Sequence, residues 1–171
     1  MCRFVAYKGK PLLMAELLVK SANSLVFQSI SSSQRAEPVN GDGFGVGWYP
    51  LHSDPEPGVF VSVEPAWSNR NLDELSKKIV TGCFFAHVRD ATPGMPVTQL
   101  NCHPFKWENI LFMHNGSLAG YRDERRRYLE VLSDAAFDLI QGNTDTEFCF
   151  AYFLDKLGFR ERVAPEEIAY A

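Results

Sequence analysis

Cys2 follows the initiator methionine, so removal of Met1 would leave a cysteine as the N-terminal residue. Such a residue carries a thiol nucleophile and a free α-amine together. The amine has an ordinary pKa of about 7.7 to 8.0, so much of it accepts a proton near neutral pH. The thiol gains reactivity from a nearby proton acceptor. Cys2 therefore predicts covalent catalysis with the amine as base, and the alternative is a chance cysteine at this position.

Polar residues follow two apolar runs, in Arg89-Asp90-Ala91-Thr92 and in Asn115-Gly116-Ser117. Loops at the ends of buried strands can direct such groups at a substrate. Each also has a structural explanation, because Asn-Gly is a common tight turn and Arg89 can form a surface ion pair with Asp90 or another acid. These positions are candidates rather than assignments on local grounds alone.

Asp145 lies within Thr-Asp-Thr-Glu, the pattern of a capping box at a helix N-terminus. The helix dipole favours a carboxylate there. On local grounds, Asp145 is a helix-start residue before it is a ligand contact.

The cysteines and histidines show neither disulfide nor metal-ligand spacing. No Cys-x-x-Cys pair occurs, so we expect reduced thiols and no metal or other cofactor. A thiol redox protein using Cys83 or Cys102 is an alternative that lacks the paired motif. A zinc site is a second alternative, and its ligands would be Cys102, His103, His87 and His114.

The composition is that of an ordinary globular chain of 171 residues, 46% hydrophobic and 22% charged, which predicts one domain over residues 1–171. The net charge of -4 gives no reason to expect nucleic acid or a membrane surface as partner. No apolar run approaches the roughly 18 residues of a membrane span, and no secretory signal is evident. We therefore expect a cytoplasmic protein.

Hydrophobic periodicity predicts strands and helices in one continuous series. The polar, serine-rich residues 29–40 predict a mobile loop able to serve as a lid. The predicted strands are 2–7, a hairpin over 44–49 and 59–63, and two buried strands over 83–88 and 110–114. The predicted helices are 11–18 with a proline in the first turn, 72–80, 122–140 with a break near Ser133, and 145–157.

Five motifs taken together resemble the class II glutamine amidotransferases, a family of N-terminal nucleophile hydrolases. The resemblance spans roughly residues 2–157, with the motifs in the family order. It is most similar to the stand-alone branch of YafJ-like, glutathione-degrading and ergothioneine-pathway amidohydrolases. It implies an α+β fold, a four-layer αββα sandwich of two sheets between helices. The motifs are residues 1–3, 40–49, 86–92, 114–116 and 144–147.

The resemblance implies that the Cys2 thiolate attacks the carbonyl of a γ-glutamyl amide and forms a glutamyl thioester, which water hydrolyses. The α-amine would carry the proton in both steps. The side-chain amide of Asn115 and the backbone N–H of Gly116 are implied as the oxyanion hole.

The same resemblance implies how the glutamyl end is recognised. Arg89 would bind the α-carboxylate, Asp145 would bind the α-ammonium group, and Thr92 would add a hydroxyl contact. The implied partner is a small molecule, namely glutamine or a γ-glutamyl peptide or thiol compound. The sequence does not predict the pocket of the leaving group.

In the family, further strands follow the helix that begins at the Asp145 position, whereas this chain ends at Ala171. We therefore expect a fold that is incomplete at the C-terminus, with the remaining strands absent or supplied by a partner subunit or a second copy. An alternative follows from this expectation: a non-catalytic subunit, or a module that binds γ-glutamyl metabolites.

Overall fold

The computed structural model describes residues 2–31, 39–52, 56–92 and 94–160. The chain divides into two compact units, residues 1–115 and 116–171, and each is described by itself. Most of the predicted loop over residues 29–40 lies outside the described residues. The single domain predicted over residues 1–171 stays a prediction.

The first unit contains a four-stranded antiparallel sheet. Its strands are β1 (Arg3–Leu13), β2 (Phe44–Trp48), β3 (Gly58–Ser62) and β4 (Val80–Val88), in the spatial order β1-β4-β2-β3. The predicted hairpin is β2 with β3, and the first predicted buried strand is β4. Both predictions are confirmed.

A second sheet in this unit has two antiparallel strands among the described residues, β5 (Phe105–Trp107) and β6 (Ile110–Phe112). The strand predicted over 110–114 is therefore confirmed, although it ends two residues early. The segment before β5 contains a short 3-10 helix, Gln99–Asn101.

The helices of the first unit are short. A π-helix spans Glu16–Lys20, α1 spans Leu25–Ile30 and α2 spans Arg70–Ser76. The α1 helix has no counterpart in the sequence prediction and includes the first two residues of the predicted loop. The predicted helix over 72–80 is shifted: Asn69 caps α2 by accepting the N–H of Leu72, and Val80 already belongs to β4.

The helix predicted over 11–18 is wrong at its start, because β1 continues to Leu13. The pairing with β4 is irregular between Lys8 and Leu12, and Pro11 lies within this irregular stretch. Strand β1 is at the edge of the sheet. Proline is tolerated at sheet edges and bulges because its missing N–H leaves no ladder bond broken.

One face of the four-stranded sheet forms the hydrophobic core with the short helices. Successive side chains of a strand point to opposite faces, so alternate residues of β2 and β4 reach this core. Burial of these apolar side chains is the main stabilising contribution. The core includes Phe44, Val46, Phe84, Ala86 and Val88 from the sheet, together with Met14, Leu18, Leu25 and Leu72.

The opposite face of β2 is made of glycine. A Cβ at Gly45 would overlap the backbone carbonyl of His103, and one at Gly47 would lie 2.8 Å from the side chains of Pro104 and Leu111. The segment that carries β5 and β6 therefore packs directly on the backbone of β2. On the same face, the β1 residue Phe4 is 49% exposed.

The second unit is helical in its described part. It contains α3 (Tyr121–Leu129), α4 (Asp134–Asp138) and α5 (Asp145–Lys156). Ser133 caps α4 through its side chain, which confirms the predicted break. Gly158, with φ +66°, follows the end of α5, as glycine commonly does. No helix among the described residues is long and apolar enough to cross a membrane.

We predict that Gly45→Ala lowers the free energy of unfolding by about 1–3 kcal/mol or more, because the new methyl group meets a backbone carbonyl that cannot rotate away. Urea unfolding measures this change. Gly41→Ala is the matched control, since its Cβ would meet the ring edge of the partly exposed Trp67 at 3.1 Å. Equal loss in the two variants would contradict the close packing described for Gly45.

Candidate active site

Cys2 lies immediately before β1, and the sheet register determines what surrounds it. Arg3 pairs with Val88 at the end of β4, so Cys2 is placed beside the loop that leaves that strand. Its half-buried Sγ accepts the backbone N–H of Asp90 at 3.4 Å and lies 3.6 Å from the carbonyl oxygen of the same residue. The antiparallel pairing of β1 with β4 thus places the Cys2 thiol beside residues 89–92, the loop predicted to contribute to the site.

The surroundings raise the pKa of the Cys2 thiol. Burial is the largest cause, and the carboxylate of Asp90 acts in the same direction. The N–H of Asp90, the α-amino group of the chain and the guanidinium of Arg89 act against it without cancelling it. Because the thiolate is the nucleophile, this thiol needs a base to react near neutral pH.

Asn115 is in direct contact with Cys2. Its Nδ2 donates to the backbone oxygen of Cys2 at 3.0 Å, and Nη1 of Arg3 donates to the same oxygen at 3.3 Å. Asn115 follows β6 and is exposed. Gly116 is the next residue and the first of the second unit. A side-chain amide donor therefore contacts the backbone of the residue that carries the thiol.

Arg89 is 5% exposed, so its guanidinium is largely removed from water. Its backbone N–H donates to the carbonyl of Gly43 at 2.8 Å, and Nη1 donates to the carbonyl of Pro96 at 3.3 Å. A buried guanidinium is a strong site for a carboxylate, because it presents paired donors and stays charged. Thr92, three residues on, is exposed.

Asp145 is the first residue of α5, but the cap of this helix is Thr144. The Thr144 hydroxyl accepts the N–H of Glu147 at 3.2 Å. Oδ2 of Asp145 instead accepts the N–H of Leu118 at 2.6 Å, within the second unit. The other half of the predicted capping box is redirected, because Glu147 accepts the amides of Gln141 and Gly142 upstream of the helix.

Asp42 is a contact that the sequence reasoning missed. Its Oδ2 accepts the N–H of Ala91 at 2.8 Å, and its own N–H donates to the carbonyl of Arg89 at 3.2 Å. The available signal was an acid between two glycines, Gly41 and Gly43, just before a strand. That pattern indicates a turn but does not name the acid's partner.

Residues 12–170 match the class II glutamine amidotransferases, nearly the whole chain. The chain belongs to this family. The resemblance predicted from the five motifs is thereby confirmed.

Two curated relatives agree with the family assignment. The chain is 43% identical over 169 residues to the probable glutamine amidotransferase DUG3 of Saccharomyces cerevisiae, covering 93% of this chain and 47% of that protein. It is 30% identical over 162 residues to the gamma-glutamyl-hercynylcysteine sulfoxide hydrolase of Mycolicibacterium smegmatis, covering 92% and 66%. The chain thus spans about half to two thirds of the length of these curated relatives.

The structural comparison extends this agreement to the fold. A glutamine aminotransferase class-II domain protein from Silicibacter pomeroyi superposes with a TM-score of 0.63 at 26% identity, covering 91% of this chain and 55% of that one. The predicted α+β class is confirmed, with antiparallel sheets and helices of the class II amidotransferase type.

Next to the site of this family member lies a buried histidine pair. The rings of His87 and His103 are 4.3 Å apart, and His87 is fully buried. Burial, followed by the positive charge of Arg89, lowers the pKa of His87 to about 3. Burial likewise lowers the pKa of His103. Among the described residues, no group of three or more histidine, cysteine or acidic side chains is arranged to hold a metal ion.

The histidine pair predicts a loss of stability in mild acid. As the pH falls below the ordinary histidine pKa of about 6.5, the unfolded chain binds protons that folded His87 excludes down to about pH 3. The free energy of unfolding therefore falls with pH in this window, by up to about 1.4 kcal/mol per pH unit for each such histidine. Urea unfolding at several pH values between 7.5 and 5 measures the slope.

His87→Phe removes one titrating group and keeps an aromatic ring, so we expect a shallower slope. His52→Gln is the control, because His52 is exposed. An unchanged slope in His87→Phe, or an equal change in the control, would show that His87 is not a cause of the pH dependence.

Proposed function

We propose that this class II amidotransferase domain hydrolyses a γ-glutamyl amide with Cys2 as nucleophile, once Met1 has been removed. The observation that carries the proposal is the set of contacts around Cys2: the amide of Asp90 at the sulfur, the side chain of Asn115 at its carbonyl, and the nearby charge of Arg89. A nucleophile, a potential oxyanion donor and a carboxylate-binding cation thus belong to one unit of the chain.

The raised pKa of the thiol supports a role for the α-amine as base. In the proposed first step, the neutral amine takes the thiol proton while sulfur attacks the γ-carbonyl carbon. The resulting ammonium then protonates the leaving nitrogen as the carbon–nitrogen bond breaks, which gives a glutamyl thioester and a free amine. Water, deprotonated by the same α-amine, attacks the thioester and releases glutamate and the thiol.

The tetrahedral intermediate carries a negative oxygen in each half-reaction. We assign Asn115 Nδ2 and the backbone N–H of Gly116 as its donors. In the present structure one N–H of Nδ2 donates to the carbonyl of Cys2, so the substrate oxygen must take the second N–H of this amide or replace that acceptor. Single donors of this type contribute about 2.7–4 kcal/mol to catalysis.

Recognition of the glutamyl group is assigned to three residues. Arg89 binds the α-carboxylate, Asp145 binds the α-ammonium group, and Thr92 contributes its hydroxyl. The names of the relatives support this substrate class, since one is a probable glutamine amidotransferase and the other a gamma-glutamyl-hercynylcysteine sulfoxide hydrolase. We also propose the four-layer αββα sandwich as the fold, on the basis of membership in this family.

We predict that Cys2→Ala lowers γ-glutamyl hydrolysis by several orders of magnitude without loss of folding, because it removes the group that forms the covalent intermediate. Intact mass after incubation with a diazo-ketone glutamine analogue reports Met1 removal and a single adduct. Comparing turnover of glutamine with that of γ-glutamyl-cysteine identifies the preferred leaving group.

Cys83→Ala is the matched control, since Cys83 is also a partly buried free thiol. An adduct on the Cys2→Ala variant would place the reactive thiol elsewhere. Binding of glutamine without any turnover would instead support the non-catalytic alternative.

We further predict that Asn115→Ala lowers kcat about 10²- to 10³-fold with a smaller change in KM, because an oxyanion donor acts mainly in the transition state. Steady-state kinetics on the preferred γ-glutamyl substrate measures both constants. Asn23→Ala, an exposed asparagine of the same unit, is expected to behave as the parent chain. A raised KM at unchanged kcat would make Asn115 a ground-state binding residue.

A further inference from the structure

The thiol of Cys2 contacts one residue of the loop after β4, through the two peptide groups on either side of that residue. Both the N–H and the carbonyl that meet Sγ belong to Asp90. Asp90 lies beyond the last paired residue of β4, Val88, so the strand pairing itself does not hold the two peptide groups on either side of Asp90. Some other contact must fix their orientation towards the sulfur.

Asp42 supplies contacts on both sides of Asp90. Its backbone N–H donates to the carbonyl of Arg89, and its carboxylate accepts the N–H of Ala91 at 2.8 Å. The two bonds bracket the Asp90 residue along the chain. A backbone–backbone bond from Arg89 to Gly43, 2.8 Å long, continues the same pairing into β2.

The local backbone fixes the position of Asp42 itself. The next residue, Gly43, has φ +105°, a backbone conformation that residues other than glycine rarely adopt. A Cβ at Gly43 would also lie 2.8 Å from the carbonyl of Ser62 and from the sulfur of Cys102. Packing around Gly43 therefore fixes the backbone at Asp42. We call the half-buried Asp42 carboxylate, with its bond to the N–H of Ala91, the clamp.

We propose that Asp42 is a positioning residue for the nucleophile. By accepting the N–H of Ala91, its carboxylate holds the peptide group after Asp90 and so keeps the N–H of Asp90 directed at the sulfur of Cys2. The role depends on an oxygen acceptor at this position and not on its negative charge. The effect on the thiol stands independently, and only its consequence for turnover rests on the proposed function.

The clamp predicts a change in thiol chemistry. The bond from the N–H of Asp90 favours the thiolate over the thiol, so weakening it by loss of the Asp42 carboxylate raises the pKa of Cys2. A higher pKa lowers the thiolate fraction at neutral pH, and the greater nucleophilicity of the more basic thiolate offsets part of that loss. We therefore expect about a threefold lower alkylation rate at Cys2 in Asp42→Ala.

Other charges near Cys2 stay constant in this comparison. They are the guanidinium groups of Arg3 and Arg89, the carboxylate of Asp90 and the α-amino group of the chain. Parent and variants must therefore be compared with the N-terminus in the same processing state, which intact mass establishes.

The experiment measures iodoacetamide alkylation of Cys2 against pH, resolved by peptide mass spectrometry, with Cys83 in the same sample as internal reference. Asp42→Asn keeps an oxygen that can accept the Ala91 N–H. We expect its alkylation rate at each pH to stay within about twofold of the parent's, whereas the rate profile of Asp42→Ala shifts to higher pH. Asp73→Ala removes an exposed carboxylate of α2 and is expected to match the parent.

Two outcomes would overturn the inference. If Asp42→Asn and Asp42→Ala shift alike, charge and not the hydrogen bond is responsible; if neither shifts, Asp42 does not position the thiol. If Asp42→Ala does not fold, Asp42→Asn decides alone. In that variant, loss of hydrogen-exchange protection at the Ala91 amide, or a shifted alkylation profile, would contradict the proposed role of Asp42. A shifted Asp42→Ala profile in a chain that cleaves no γ-glutamyl compound would retain the clamp and reject the proposed function.

Discussion

The antiparallel pairing of β1 with β4 is the constraint on which the site depends. Its register sets Arg3 opposite Val88 and so delivers the residue before β1 to the residues after β4. A slip by one residue would reverse every side chain to the other face of the sheet and break both core and site. The core residues of β4 make that slip costly, so the same apolar packing that stabilises the sheet also positions Cys2.

The two faces of the four-stranded sheet pack against different parts of the first unit. One buries large apolar side chains against short helices, which is an ordinary core. The other leaves room at the glycines of β2 for the segment at His103, and this close approach encloses His87. An enclosed imidazole beside Arg89 stays neutral because adding a proton there would bury a second positive charge without compensation. At this end of β4, Arg89 therefore carries a positive charge and His87 beside it does not.

The environment of Cys2 is not that of a thiol activated by its surroundings alone. Burial outweighs the favourable contacts, so the sulfur in this structure is held mainly as a thiol. Such a site has a use if the base arrives on the same residue, as the α-amine of an N-terminal cysteine would. Precise placement by hydrogen bonds then matters more than a strong local field. Two backbone–backbone bonds and one carboxylate–amide bond join residues 42–43 to residues 89–91.

The sequence by itself determined the family, the hairpin, the buried strand β4, the helix break near Ser133 and the helix start at Asp145. These depend on local patterns, caps and an ordered set of motifs. It could not determine that Pro11 would continue a strand, since that depends on β1 being at the edge of the sheet. Nor could it pair Asp42 with Ala91 or Glu147 with Gly142. Those bonds join groups that only the folded chain brings within reach, and the tertiary structure alone decides which acceptor meets each buried amide.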